Sequence, residues 1–222
     1  MSTAVEPGSR ASSYHHGALR ESLLEAAEAL LEQGGIPALT LRAVARAAGV
    51  SHAAPAHHFG DLTGLLSELA AVGFTRLGAA FDAAMEAAGN EPDARLTAMG
   101  KAYVGFARAY PGLFSLMFRS ERLDQSRPIL RDATAAAGQA LRAAIAKTQP
   151  SDGGAASARA IARATALWSL VHGFSVLLID NRLGGLLAAL PPGDDADTLL
   201  DAMLDAISIE DRGGMNSALC AE

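Results

Sequence analysis

The sequence has a single cysteine, Cys220, close to its end. A disulfide framework within one chain is therefore impossible, a cysteine-based zinc site has no support, and the usage fits a reducing compartment. Aromatic residues make up only 5% of the 222 positions and charged residues only 19%. Long apolar runs are missing too. The longest, Ala166 to Ile179, contains Ser169, His172 and Gly173, and it falls short of the roughly 18 apolar residues that suggest a membrane span. The first residues, up to Tyr14, are rich in Ser, Gly, Pro and Ala and lack the apolar run of a secretory signal. These absences predict a soluble, cytoplasmic protein with no membrane contact.

Positive charge is scarce as well. The net charge is −6, and the basic residues before Leu66 are only Arg10, Arg20, Arg42 and Arg46, against Glu6, Glu21, Glu25, Glu28, Glu32 and Asp61. Neutralising phosphates needs cations, so any nucleic-acid role has to be carried by a small face. The chain has no GxSxG, HExxH or CxxC motif, no phosphate-cradling glycine loop and no dinucleotide fingerprint. An enzyme is not expected. Five of the six histidines lie at 15, 16, 52, 57 and 58. Two pairs are adjacent and diverge on a helix, whereas helical metal pairs favour spacings of three or four. No metal and no cofactor are expected.

What the chain does have is alanine, within a hydrophobic fraction of 50%. Alanine is the best helix former, and the pattern reads as helices punctuated by Gly and Pro. Over Ala18 to Gln33, Leu23, Ala26, Ala27, Leu30 and Leu31 share one face and four glutamates lie outside it. Gly34-Gly35 ends this helix. Thr40 is placed to cap a second helix, Leu41 to Ala48, and Ser51 a third, to about Phe59. Asp61 is placed to cap a fourth, Leu62 to about Ala88. Further helices are expected over Pro92 to Tyr110, Pro111 to Phe118, Pro128 to Lys147, Ala155 to about Leu183, and Asp194 to Ile209, with a loop over Gln149 to Gly154. No strand alternation of convincing length and no internal repeat appear.

Two short helices joined by Gly49-Val50 form a helix-turn-helix pattern. Leu41, Val44 and Ala45 face the first helix, Ala48 permits a close crossing, and Gly49 supplies a left-handed turn. The second helix is thereby held outward, where it can enter a major groove.

The stretch "LTLRAVARAAGVSHAAPAHHFGDLTGLLSEL", with the preceding "YHHGALRESLLEAAEALLEQGG", resembles the DNA-binding signature of TetR-type regulators over about Tyr14 to Leu69. The resemblance implies roles. Thr40 caps the second helix and faces a phosphate, and Arg42 reaches a base edge. Ser51 starts the recognition helix, and His52 and Ala53 read bases. His57 and His58 contact phosphates, and Phe59 packs inward. The family commonly has a tyrosine where this chain has Ala56 and a lysine where it has Leu62. Both normally touch the DNA backbone, so a shallower salt dependence is expected.

"YPGLFSLMF" (Tyr110 to Phe118) and "LWSLVHGFSVLLIDNRLG" (Leu167 to Gly184) resemble a subgroup of TetR-type C-terminal domains marked by a Trp followed by His-Gly. The implied partners are double-stranded operator DNA, a small apolar or aromatic effector, and a second copy bound through the last two long helices. Two stripes are candidates for that pairing: Ile161, Ala164, Leu167, Val171 and Leu178, and Leu199, Leu200, Met203, Leu204 and Ile207. Tyr103, Phe106, Tyr110, Phe114, Met117, Trp168 and His172 are the candidate effector residues, though each also suits a plain core position.

The expected fold class is all-α. A flexible arm (1–14) precedes a three-helix, helix-turn-helix DNA-binding domain (15–66). A helical effector-binding and dimerisation domain (67–210) and a disordered tail (211–222) follow.

Overall fold

The computed structural model describes residues 9–146 and 158–216. Among them there are ten α-helices and no strand. They are α1 (Ser9–Gly34), α2 (Leu41–Ala47), α3 (Ala54–Phe59), α4 (Leu62–Ala87), α5 (Pro92–Ala109), α6 (Pro111–Met117), α7 (Pro128–Ala146), α8 (Ala158–Ile179), α9 (Gly184–Leu187) and α10 (Ala196–Asn216). The loop expected over Gln149–Gly154 and Cys220 lie outside the described residues, as do residues 1–8 of the arm.

Helix ends follow side-chain and backbone chemistry. Thr40 Oγ1 accepts from the Ala43 amide at 3.0 Å, and Asp61 Oδ1 accepts from the Gly64 amide at 2.7 Å. Both are N-caps at the expected residues. Asp195 caps α10 by accepting from the amides of Asp197 and Thr198, each at 3.0 Å. Several boundaries differ from those expected, four of them with a clear local setting. The first helix starts at Ser9, not Ala18, and so runs into the segment expected as a flexible arm; Pro7 is the last proline before it. The last helix passes Asp211 and reaches Asn216, since no proline follows Pro192. The third helix starts at Ala54. Ser51 does not cap it with its side chain; its carbonyl oxygen accepts from the Ala54 amide, and Pro55, which has no amide to satisfy, occupies the first turn. The eighth helix stops at Ile179, ahead of Gly184-Gly185. Asn181 takes a left-handed φ of 55°, the Arg182 amide donates to Leu177 O at 2.8 Å, and the Asn181 amide donates to Leu178 O at 3.1 Å. This Schellman closure needs a left-handed residue, and asparagine tolerates that conformation.

The chain divides into two compact units, and the expected break after Leu66 falls inside α4. One unit comprises residues up to Gly73 together with Gly112–Ala133. Its core is Leu23, Ala27 and Leu31 of α1, Val44 and Ala45 of α2, Phe59 of α3, Leu65, Leu66 and Leu69 of α4, and Leu113, Phe114, Leu116 and Met117 of α6, all buried. Gly73 sets the approach of α4 to α6: a Cβ there would stand 2.6 Å from the sulfur of Met117 and 3.0 Å from Cγ of Leu113.

The other unit comprises Phe74–Pro111 and the chain from Thr134 onward. The helices α5 and α8 pack along each other and α10 packs against both. Gly100 of α5 makes room: a Cβ there would stand 3.3 Å from Cδ2 of Leu204 and 3.4 Å from Cγ1 of Val171. Two ion pairs join α5 to α10, Lys101–Asp201 at 2.8 Å and Arg108–Asp197 at 2.7 Å. Both are solvent-exposed and contribute little.

This packing corrects the stripes expected to face a second copy. Leu167, Val171, Leu200 and Leu204 are buried in the unit's own core. Ala164, Leu178, Leu199 and Met203 are half-buried, and the Ile207 side chain lies outside the described residues. The helix α8 is apolar nearly all round, so periodicity could not choose which side α5 would take. The side left open carries Ile161, 57% exposed, Trp168, 43%, and Leu177, 37%.

Phe59 is the largest side chain that α3 contributes to the first core. We expect Phe59→Ala to destabilise this unit by about 3–5 kcal/mol. The check is urea denaturation followed by circular dichroism; a loss under 1 kcal/mol would contradict the packing.

Candidate nucleic-acid interface

The turn between α2 and α3 is a second Schellman closure. Gly49 has φ 69°, the Val50 amide donates to Ala45 O at 3.0 Å, and the Gly49 amide donates to Arg46 O at 3.2 Å. The left-handed glycine reverses the chain in two residues and returns half-buried Val50 toward α2. The helix α3 follows. Pro55 and Phe59 turn inward and are buried, while Ala56 and His57 are exposed. The helix closes with the Gly60 amide donating to Ala56 O at 2.9 Å, and Gly60 takes a left-handed φ of 82°.

The residues expected to meet DNA fall on the outside of this arrangement. Thr40, Arg42, Ser51, His52, Ala53 and His57 are exposed. His58 is half-buried, with its ring 6.2 Å from that of Phe59 and 5.6 Å from that of His57. Thr40 uses its oxygen as the α2 cap and keeps its hydroxyl proton to donate. Arg46 in the last turn of α2, a cation for which no role was expected, is exposed as well. Among the described residues no cluster of His, Cys, Asp or Glu has the arrangement of a metal site. None of the described helices is long and apolar enough to cross a membrane.

Behind this face lies a charged support that sequence reasoning missed. Glu68 of α4 is buried, and its carboxylate pairs with Arg20 of α1 and, at 3.6 Å, with Arg127. Burial pushes the Glu68 carboxyl above its ordinary value, and the two guanidiniums pull it back. Arg20 also lies 5.9 Å over the Phe59 ring. Ser67 accepts from the Asp124 amide at 2.8 Å and donates to Thr63 O at 2.7 Å. Glu32, one of the four glutamates outside the apolar face of α1, accepts from the Gly112 and Leu113 amides, each at 2.9 Å, and so holds the start of α6. A signal was present for Glu68: it is the lone charged residue between Asp61 and Arg76.

The residues expected to meet an effector are shared between the two units. Phe114 and Met117 are core residues of the helix-turn-helix unit. Tyr103, Phe106, Tyr110, Trp168 and His172 belong to the other. There the Tyr103 hydroxyl and Nδ1 of His172 are 2.8 Å apart, and the Trp168 and His172 rings are 5.8 Å apart. Phe81 stacks on Tyr103 at 6.4 Å, and Phe106 lies 5.3 Å from Tyr110, whose ring carries Arg76 at 5.0 Å. Burial pushes the Tyr103 phenol well above its ordinary range, while a hydrogen bond from Trp168 opposes this. The phenol can donate to Nδ1 of His172 or accept from it, according to the tautomer of the ring. Burial lowers the His172 pKa, so its ring is neutral at pH 7.

Two family models match the chain. The one described as bacterial regulatory proteins, tetR family, covers residues 23–69, and the one described as tetracyclin repressor-like, C-terminal domain, covers residues 96–207. The chain belongs to the TetR family. A solved structure of a protein of unknown function from Rhodococcus sp. RHA1 is 35% identical, with a TM-score of 0.70 over 87% of this chain and 95% of that one. A putative tetR family transcription regulator from Shewanella sp. PV-4 is 18% identical, with a TM-score of 0.62 over 84% and 95%. The multidrug binding protein EbrR, solved with imidazole, is 21% identical, with a TM-score of 0.54 over 92% and 97%. A comparison with curated proteins finds no match. This TetR-family chain is thus a transcription regulator in fold, with its helix-turn-helix at the N-terminal end and a helical domain after it.

The His172 shift fixes a pH dependence. Its folded pKa is depressed, so the unfolded chain takes up the proton first as pH falls below about 6.5. The stability contributed by neutral His172 is complete above that pH and is lost as pH falls toward the folded value. Melting temperature should therefore drop more steeply between pH 7.5 and 5.5 in the native chain than in His172→Gln. Parallel curves would contradict the assignment.

Proposed function

We propose that the protein is a ligand-responsive transcriptional repressor that binds palindromic operator DNA as a homodimer in the cytoplasm. The observation that carries this reading is the division of α3 into a buried side, Pro55 and Phe59, and an open one that continues through Ser51, His52 and Ala53. Arg42 stands beside it on α2 and is the candidate for a guanine edge, where two acceptors suit a guanidinium. Thr40, Ser51, His57 and His58 are candidates for phosphates.

The open side of α8 supports a symmetric pair. At 100° per residue, exposed Ala162, Thr165, Ala166 and Ser169 form a floor of small side chains. Ile161 and Trp168 stand along one edge and Leu177 along the other. Small floors let two helices approach closely, and apolar edges add burial. The neighbouring helix α10 offers Ala202 and Ala206. For the effector, Tyr103, Trp168 and His172 supply directed polar groups among Phe81, Phe106 and Tyr110, a mixture suited to a small apolar or aromatic molecule. The multidrug-binding character of EbrR, which shares the fold, supports ligand binding as the use of this domain. Ligand would act by its difference in affinity for the two states of the dimer.

Selection from a randomised duplex library with the purified chain should return a palindrome whose half-sites lie about 34–36 Å apart. Arg42→Ala should weaken binding to that duplex by about 1–3 kcal/mol and relax one position per half-site. With alanine at position 56 and leucine at 62, the slope of log affinity against log salt should be shallow, since each phosphate contact contributes about one unit. Failure to enrich any duplex would overturn the operator reading. Independently, Ala166→Glu should turn a dimer into a monomer by sedimentation velocity. A dimer that survives the buried charge would move the interface elsewhere.

A further inference from the structure

The recognition helix has only six residues, so most of its carbonyl groups lack an intrahelical partner. Its last one, Phe59 O, is satisfied from far along the chain: Nη2 of Arg127 donates to it at 2.9 Å. The space for that guanidinium is built in. A Cβ at Gly64 would overlap both the Phe59 carbonyl oxygen and the Arg127 guanidinium. The same guanidinium lies with Nη1 3.6 Å from Glu68 Oε1 and Nε 3.7 Å from Asp124 Oδ2. Its backbone is fixed as well, since the Arg127 amide donates to Asp124 O at 3.2 Å and Asp124 is tied to Ser67 of α4.

We infer that Arg127 is a positioning residue for DNA recognition, which holds the carboxyl end of α3 and ties its setting to the start of α7. Three physical facts converge on this. A cation at a helix carboxyl end interacts favourably with the partial negative charge there. Phe59 is held twice from one carboxylate: Glu68 pairs with Arg20, which lies over the ring, and with Arg127, which takes the carbonyl. Arg127 directly precedes α7, a helix that continues from the helix-turn-helix unit into the other unit. A displacement of the first turn of α7 would therefore withdraw the cap from α3 without any residue of α3 being touched. The affinity half of this inference rests on the DNA-binding reading; the half that concerns the order of α3 does not.

The test uses the full chain with Arg127→Gln and Arg127→Lys. Amide hydrogen exchange is followed peptide by peptide. Affinity is measured by fluorescence anisotropy against the duplex enriched by the wild-type chain. In Arg127→Gln, amides of residues 54–60 should exchange about tenfold faster, the worth of one hydrogen bond to a charged group, with α1 and α5 unchanged. Duplex affinity should fall by a similar factor. Arg127→Lys, which keeps the charge but not the fork, should recover part of both effects. Wild-type exchange over 54–60 in Arg127→Gln overturns the inference. So does acceleration spread evenly over the whole unit, which marks a residue that only stabilises the fold. If Arg127→Gln does not fold, the lysine variant decides: its exchange over 54–60 must lie above wild type while α1 stays fixed. If no duplex is enriched, the operator reading fails and the exchange comparison still decides the positioning role.

Discussion

A helix of six residues does not persist in water on its own, because nucleation costs more than so few hydrogen bonds return. The recognition helix here exists through what holds its inner side. The Phe59 ring is sealed in the core formed with α1 and α4, Pro55 is buried beside it, and Gly60 turns the chain away at once. Everything proposed about DNA depends on that anchorage. The open residues of α3 have no strong internal reason to stay helical. Their geometry is borrowed from Phe59, from the left-handed Gly49 that sets the entry, and from the cation over the final carbonyl. The support is mixed in kind. The apolar part is non-directional and fixes depth, whereas the Arg20–Glu68–Arg127 group is directional and fixes rotation.

Much of this was legible in the sequence, and the reasons are local. Thr40 and Asp61 cap helices because a short oxygen-bearing side chain next to an orphan amide has little else to do. Gly49 marks the turn because few other residues take that backbone conformation. Phe59 points inward and is buried with Leu23, Leu31 and Val44, as the family resemblance implied. The resemblance to TetR-type regulators, carried by a run from Tyr14 to Leu69, agrees with the family models.

What stayed hidden was long-range. Arg127 and Phe59 are 68 positions apart, and nothing local to either announces the other. Glu32 looked like one more solvated glutamate because its partners are backbone amides of a distant helix. The face of α8 was misread for a different reason. When a helix is apolar on nearly every side, periodicity cannot tell which side is already taken, and Leu167 and Val171 proved to belong to the unit's own core. Ser51 shows a third limit. A serine before a predicted helix is a fair cap, yet with Pro55 in the first turn the helix starts two residues further on and the serine hydroxyl is left free of that task.

The sequence contains one tryptophan. It stands on the open edge of α8, with a neutral histidine ring 5.8 Å away and a tyrosine hydroxyl within its reach. An indole so placed emits at a wavelength set by local polarity. The protein therefore carries a native optical label at the spot where the proposed pairing of subunits and the proposed occupancy of the aromatic cluster would both alter the surroundings. No dye has to be attached, and no second indole blurs the spectrum.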